Sequence, residues 1–575
     1  MNFKNIFNSA IDSHSSGDLD SAEKLYKQLI NNNYRKDIAL SNLGVIYKVK
    51  NKLNEAKQCF INATKLNPRF ADAFSNLADL YRLEGLYDKS IIAASKAISL
   101  DPNHENAHVN LGASYRSKGY TDKAFKTTRK ALYINPNNST AHINMATIYM
   151  DKCLLQDALK SIKQSISVQS SCNAYTLLST IYFEMGQLDS AKNSVLEALA
   201  ITPDHAQANY IMGKIERAFG DLEIALKYFK KAICSNSYNM ESYFEISRSI
   251  YNHSDAENLL DDLSKLNISN LSIERQYLYN FAKSNFLHTI KNFKESSFFL
   301  VKANSSKLLA KPSNKELLIS KINYLLSLEY SVGSNNFLGE GRIFIVGMPR
   351  SGSTLLETIL SLRSNTLDLG EKDYLESSIS IFTSDDNTKS LYDIYNNKLN
   401  LDSPYEYTVD KQLYNFMYVG FIASCMPSAK IIHCCRNPLD NILSTYRACL
   451  GQKNSYTSSL LDTAEILIQQ ELFMKNFKKK YVDQIYTFNY DLLVTNKKIY
   501  LNKLFHWLDW SWDDKYLNPQ LSKRKITSAS DVQSRKPIHN NSLGGWEKYS
   551  DMLSQITKIL NSSKLFNDDF SLKTY

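Results

Sequence analysis

The chain is 575 residues long, too long for one ordinary domain, and its 43% hydrophobic and 22% charged content is globular, which excludes a long disordered tract. Its formal net charge of +10 is spread in short runs, so the basic excess fits a local anion site as well as it would fit nucleic acid, and no nucleic-acid partner is expected. No run reaches transmembrane length, Met1-Asn-Phe-Lys-Asn-Ile-Phe lacks the apolar core of a signal peptide, and the cysteines at 59, 153, 172, 234, 425, 434, 435 and 449 lack metal spacing; free buried thiols in a cytoplasmic protein are expected.

The first half repeats itself. Gly44, Tyr47, Ala56, Phe60, Ala63 and Pro68 recur 34 residues on as Ala78, Tyr81, Ser90, Ala94, Ala97 and Pro102, and again as Gly112, Tyr115, Ala124, Thr128, Ala131 and Pro136. The register reaches back to Ala10 and Ala22, and forward through Ala146, Tyr149 and Ala158. It loses one residue, resumes at Ser179, Tyr182 and Ala191, and fades after about Met240. These small, aromatic and proline positions resemble the tetratricopeptide repeat, whose helix pairs stack into an α-solenoid. The resemblance implies a groove that binds a partner or acceptor, with self-association or a spacer as the alternative. Tyr47, Tyr81, Tyr115, Tyr149 and Tyr182 share one repeat position and are expected to pack in the core. The array is placed at 1–271. A divergent helix pair from Ser272 to Ala310, one further helix and a Gly/Ser/Asn linker fill 272–335.

A second domain, 336–575, follows. Arg342 to Val346 reads as a buried parallel strand, Gly347 to Gly352 as a turn, and Leu355, Leu356, Ile359 and Leu360 mark a helix. Such a strand–turn–helix aims backbone N–H groups and the helix dipole at one spot, which favours an anion. Gly347-x-x-x-x-Gly352-Ser353-Thr354 has the spacing of a nucleotide phosphate loop, but Ser353 stands where that loop needs lysine. The charge sits at Arg350. Gly-Met-Pro-Arg-Ser-Gly-Ser-Thr after a strand resembles the phosphosulfate loop of sulfotransferases that use 3'-phosphoadenosine-5'-phosphosulfate (PAPS).

Asp368-Leu-Gly-Glu371 follows a short β-type run and puts a carboxylate at the carboxyl edge of a second strand, where open α/β sheets bind ligands. Tyr407-Thr-Val-Asp410-Lys411 brings a lysine to the same edge. Ala429 to Cys435 is a third buried strand; Arg436 ends it, Pro438 opens a helix and Ser444 lies two turns in. His433 faces the strand interior and reads as a packed histidine, and Cys434 and Cys435 as strand filler. Ile485 to Val494 is another strand entering a helix, with Tyr490 fit either for nucleotide contact or for the core. Thr527 to Tyr549 is rich in Ser, Lys and Arg, with a proline turn ahead of a helix expected to be led by Trp546.

These segments resemble the sulfotransferases, and most nearly the tyrosylprotein sulfotransferases. The resemblance implies a P-loop-like parallel-sheet α/β domain that moves a sulfuryl group from PAPS to an acceptor hydroxyl without a metal. Arg350, Ser351, Gly352, Ser353 and Thr354 would hold the phosphosulfate. Arg436 and Ser444 would grip the 3'-phosphate, with Tyr490 touching the adenosine diphosphate part. Ser534, Arg535 and Lys536 would close over the phosphates. Glu371 would act as general base, with Lys411 and Arg350 steadying the leaving group. Gly545 departs from the family, which has a basic residue before the tryptophan; Lys548 is the expected substitute. Protein tyrosine, a carbohydrate and a small alcohol all fit as acceptor. An ATP-using kinase and a non-catalytic repeat scaffold are the alternatives.

Overall fold

The computed structural model describes residues 2–249, 252–269, 271–328, 338–384, 389–399, 405–522, 524, 534–567 and 570. The chain divides into two compact units, residues 1–211 and 212–575.

The first unit is a run of antiparallel helix pairs, from Phe3–Ser15 and Leu19–Asn31 to Cys172–Glu184 and Leu188–Ile201, each helix 13 or 14 residues long. The 34-residue period has a steric cause. A Cβ on Gly44 would stand 2.6 Å from the Phe60 ring, so the small residue of one helix is the seat for the large residue of the next. The second helices end where the sequence places proline. Asn67, Asp101 and Asn135, each just before a proline, leave the helix for extended backbone. Tyr47, Tyr81 and Tyr115 lie partly buried at the seams between apolar clusters, as core packing requires. Gly44→Ala should therefore destabilise the chain by about 1–3 kcal/mol through overpacking. Gly44→Ala/Phe60→Leu should recover most of that loss, both read from thermal denaturation.

The second unit opens with repeat-like helices. Gly213 and Phe229 repeat the Gly44–Phe60 seating. The helices Ile273–Thr289 and Phe293–Ala310 form the expected long pair, followed by Lys315–Leu326. Five parallel strands come next: β1 (Arg342–Gly347), β2 (Thr366–Gly370), β3 (Tyr407–Asp410), β4 (Lys430–Cys435) and β5 (Ile485–Asn489). Their order is β2-β3-β1-β4-β5. β1 is buried on both faces. Phe344 and Val346 pack with Ile431, Phe416 and Phe473, and Ile343 and Ile345 with Val409, Ile432 and Phe488. The long helix pair shares a core with this sheet domain, Phe281 and Leu300 clustering with Leu443, Leu467 and Leu553. Polar bonds reinforce that packing. The Tyr549 hydroxyl bonds His288 Nδ1 at 2.8 Å and Ser296 Oγ at 2.9 Å, and Lys307 Nζ donates to the Leu450 carbonyl at 2.6 Å.

Two expectations are corrected here. All eight cysteines are free, but Cys153 and Cys234 are exposed, because they fall in a turn and on the outer face of a repeat helix. Trp546 does not lead a helix: it sits in the 3₁₀ turn Gly545–Tyr549, and the helix begins at Ser550. Residues 331–337 of the linker and Thr527 to Gln533 lie outside the described residues.

Candidate functional site

The carboxyl ends of β1, β3 and β4 are neighbours in the sheet, with Gly347 beside Cys434 and Phe344 beside Asp410. The chain order reverses about β1, and a crevice opens at such a switch point. The turn after β1 uses left-handed backbone twice, at Arg350 (φ 67°) and at Gly352 (φ 92°). Gly352 is also the N-cap of the Ser353–Leu360 helix, and no side chain caps that helix. Its first N–H groups are thus left to the turn. The turn is held from the Pro438–Arg447 helix. Asn441 Nδ2 and Thr445 Oγ1 both donate to the Pro349 carbonyl, at 2.9 and 3.3 Å.

Three expected residues converge on the turn. Arg350 Nε donates to Ser444 Oγ at 3.1 Å, and Arg436 Nη1 donates to the Arg350 carbonyl at 3.4 Å. The Arg436 guanidinium lies over the Tyr490 ring, 5.0 Å from its centroid, and donates from Nη2 to the Ser542 carbonyl at 2.5 Å. Tyr490 in turn bonds Ser542 Oγ at 2.9 Å, and its ring fills the space over Gly352. A Cβ at Gly352 would overlap that ring, in a backbone conformation that favours glycine. Gly352→Ala should cost about 1–3 kcal/mol of stability, measured by denaturant unfolding. Ser351, Ser353 and Thr354 are buried in the turn and first helical turn, and Ser351 Oγ has no hydrogen-bond partner.

Glu371 and Lys411 meet at the end of β3. Lys411 Nζ donates to Glu371 Oε1 at 2.5 Å, with the lysine 2% exposed and the glutamate 49%. Lys411 also faces the fully buried Glu357 at 3.6 Å, and Glu357 pairs with Arg524 at 2.7 Å, which pairs with Asp368. Opposite charges in alternation explain how a lysine can be buried there. Next to it, Asp410 accepts from Tyr395, Gln412 N and Asn415. Burial outweighs those donors and pushes its carboxyl up to about 7. Folded Asp410 keeps its proton to higher pH than the unfolded chain, so stability is lost as pH rises from about 4 to 7, at up to about 1.4 kcal/mol per pH unit. Asp410→Asn should flatten the melting temperature over that window.

The closing segment is built differently from the expectation. Arg535 Nη2 donates to the Ala218 carbonyl at 2.6 Å, and the side chain lies over Gly220, at the end of a repeat helix. Ser534 is buried and Lys536 partly so; Ser542 is the residue of this segment that reaches Arg436. Lys548 lies over the Phe293 ring, so it faces the helix pair, while the N–H groups of Gly544 and Trp546 donate to Asp440. Ser542, Asn441, Thr445 and Glu357 were missed from sequence. Asn441 and Thr445 stand one helical turn apart on the face with Ser444's neighbours, and Glu357 one turn after Ser353, so helical spacing could have found them. Nothing in sequence marks Ser542.

Residues 372–514 match the model described as the sulfotransferase family. The match begins one residue after Glu371 and takes in Lys411, Arg436, Ser444 and Tyr490. Residues 47–105, 176–239 and 105–138 match tetratricopeptide-repeat models. An uncharacterized protein of Aquifex aeolicus is 28% identical over 257 residues, covering 40% of this chain; the chain spans about a third (34%) of that relative's length. Among solved structures, a tetratricopeptide repeat protein from Parabacteroides merdae is 22% identical with a TM-score of 0.35, covering 45% of this chain and 98% of its own. A thermophilic repeat protein of Thermus thermophilus is 21% identical with a TM-score of 0.29, covering 34% and 99%. Among the described residues, no helix is long and apolar enough to cross a membrane. Helical repeats ahead of a parallel sheet, and family matches to both parts, agree: tetratricopeptide repeats are followed by a domain whose residues 372–514 are similar to the sulfotransferase family.

Proposed function

We propose that the chain transfers a sulfuryl group from PAPS to an acceptor hydroxyl, and that the repeat array, placed at 1–271 with a cap to 335, binds the acceptor protein. The observation that carries the reading is the meeting of Arg350, Ser444 and Arg436 at the glycine turn. Two arginines brought to one turn, Arg350 through Ser444 and Arg436 through the Arg350 carbonyl, favour an anion with more than one charge. The unpartnered Ser351 hydroxyl and the uncapped helix N-terminus supply further donors, so the residues present fit such a donor. Arg350 and residues 351–354 bind the phosphosulfate, Arg436 and Ser444 the 3'-phosphate, and Tyr490 stacks beside them. Ser534, Arg535 and Lys536 belong to the covering segment, with Arg535 as its anchor.

In the transfer, the acceptor O–H gives its proton to the Glu371 carboxylate as the new S–O bond forms. The S–O bond to the phosphate breaks, and adenosine 3',5'-bisphosphate leaves with the electron pair, its charge met by Lys411 and Arg350. The half-exposed Glu371 beside the buried Lys411 suits these roles, one facing the acceptor and one fixed. No metal enters this scheme. Protein tyrosine is the acceptor we favour, through the tyrosylprotein resemblance. The test is transfer of labelled sulfate from PAPS to proteins of a host lysate and to tyrosine peptides, with ATP as a competing nucleotide. Labelled tyrosine is the expected product; label appearing from γ-labelled ATP instead would replace this reading with a kinase.

A further inference from the structure

Behind the glycine turn, β4 and the Leu460–Lys480 helix enclose a group that the transfer scheme does not use. His433 and Cys435 alternate onto the same face of β4, and Gln470 and Glu471 meet them from the helix. All four are buried, His433 and Gln470 completely. Three polar atoms surround His433 Nε2: Glu471 Oε1 at 3.4 Å, Gln470 Nε2 at 3.4 Å and Cys435 Sγ at 3.8 Å. The nitrogen and oxygen contacts are longer than good hydrogen bonds, which close to about 2.7–3.2 Å. The ligand atoms of His433, Cys435 and Glu471 all lie within 4.8 Å of one another.

The two 3.4 Å separations are those of the edges of a small coordination tetrahedron, and the sulfur lies within a few tenths of an ångström of one. Bonds of about 2.0 Å to nitrogen and oxygen give edges of roughly 3.3 Å, and a bond of about 2.3 Å to one sulfur lengthens the edges it shares to roughly 3.5 Å. Gln470 adds an independent sign: its Oε1 is buried with no hydrogen-bond partner. Turning the amide about its last bond puts that oxygen where Nε2 now stands, 3.4 Å from the histidine nitrogen. One small cavity is lined by Cys435, Gln470 and Glu471 together with Ser351, Cys434, Arg436 and Asn441.

We infer that His433, Cys435, Glu471 and Gln470 form a binding site for a zinc-class divalent cation. Imidazole, thiolate, carboxylate and amide oxygen make a closed set of four, as structural sites have. On binding, the Cys435 thiol proton leaves to solvent and a metal–sulfur bond replaces it. The ion would tie the end of β4, one residue before Arg436, to the long helix behind it. Cobalt binding is read without PAPS or acceptor, so the ion site and the sulfotransferase reading stand or fall separately.

The test uses the full chain, kept reduced and freed of metal by a chelator, then titrated with cobalt(II) alone. One ion per chain should bind, with the visible spectrum of tetrahedral cobalt and a thiolate-to-cobalt charge-transfer band, and zinc should displace it. Cys435→Ser should abolish the charge-transfer band. Glu471→Gln, which removes a ligand, should weaken binding by at least the roughly 10-fold that loss of a mere orienting partner costs, and Cys234→Ser, at an exposed thiol, should change nothing. Wild-type protein that gives only six-coordinate cobalt, or a charge-transfer band that survives Cys435→Ser, would overturn the assignment.

Discussion

Arg436→Ala should weaken binding of adenosine 3',5'-bisphosphate by about 2–4 kcal/mol, roughly 30- to 1,000-fold, as read by calorimetry on the purified chain. The reason is geometric as well as electrostatic. One planar group serves the Arg350 carbonyl from Nη1 and the Ser542 carbonyl from Nη2, and lies on Tyr490. Its Nε is buried and has no hydrogen-bond partner among the described residues. Arg436→Lys should recover little, since an ammonium cannot reproduce a planar fork. Because the side chain also holds the closing segment, thermal melting of each variant separates lost binding from lost structure. A variant that melts like wild type and binds the bisphosphate equally well would remove Arg436 from the nucleotide site.

Glu371→Gln should leave bisphosphate binding within about twofold, yet lower the transfer rate by roughly 10²- to 10⁴-fold, the range of a lost general base. The amide still accepts the Lys411 hydrogen bond, so the charge chain through Glu357, Arg524 and Asp368 should keep its packing. Single-turnover rates at saturating donor isolate the chemical step. Unchanged transfer by this variant would send the search for the base to another group at the β2 and β3 ends, Asp373 being the nearest in sequence. These two variants divide the site: one is expected to change affinity and the other turnover.

Much of the fold was legible because its causes are local and periodic. The 34-residue repeat follows from small residues seating large ones, as Gly44 seats Phe60, and proline closes each pair. The strands β1 and β4 announced themselves as apolar runs buried on both faces, and Pro438 marked the helix after β4 with Asn437 as its cap. The glycine turn carried its own signal, since left-handed backbone at Gly352 favours glycine. The segment from Thr527 was read by composition alone, and composition does not say where a side chain points. Arg535 therefore went to a repeat-helix carbonyl, Lys548 to Phe293, and Ser542 took the place beside Arg436.

The amino-acid sequence by itself determined the repeat array, the parallel strands, the phosphate-type turn and the arginine that ends β4, because each depends on residues within a few positions of one another. Only the tertiary structure decided which distant groups share a charge or a ligand. Lys411 is buried because Glu357 and Glu371 reach it from two other elements, and His433 meets Glu471 because a helix thirty-odd residues later crosses its strand. Such meetings are set by packing, which no spacing along the chain encodes.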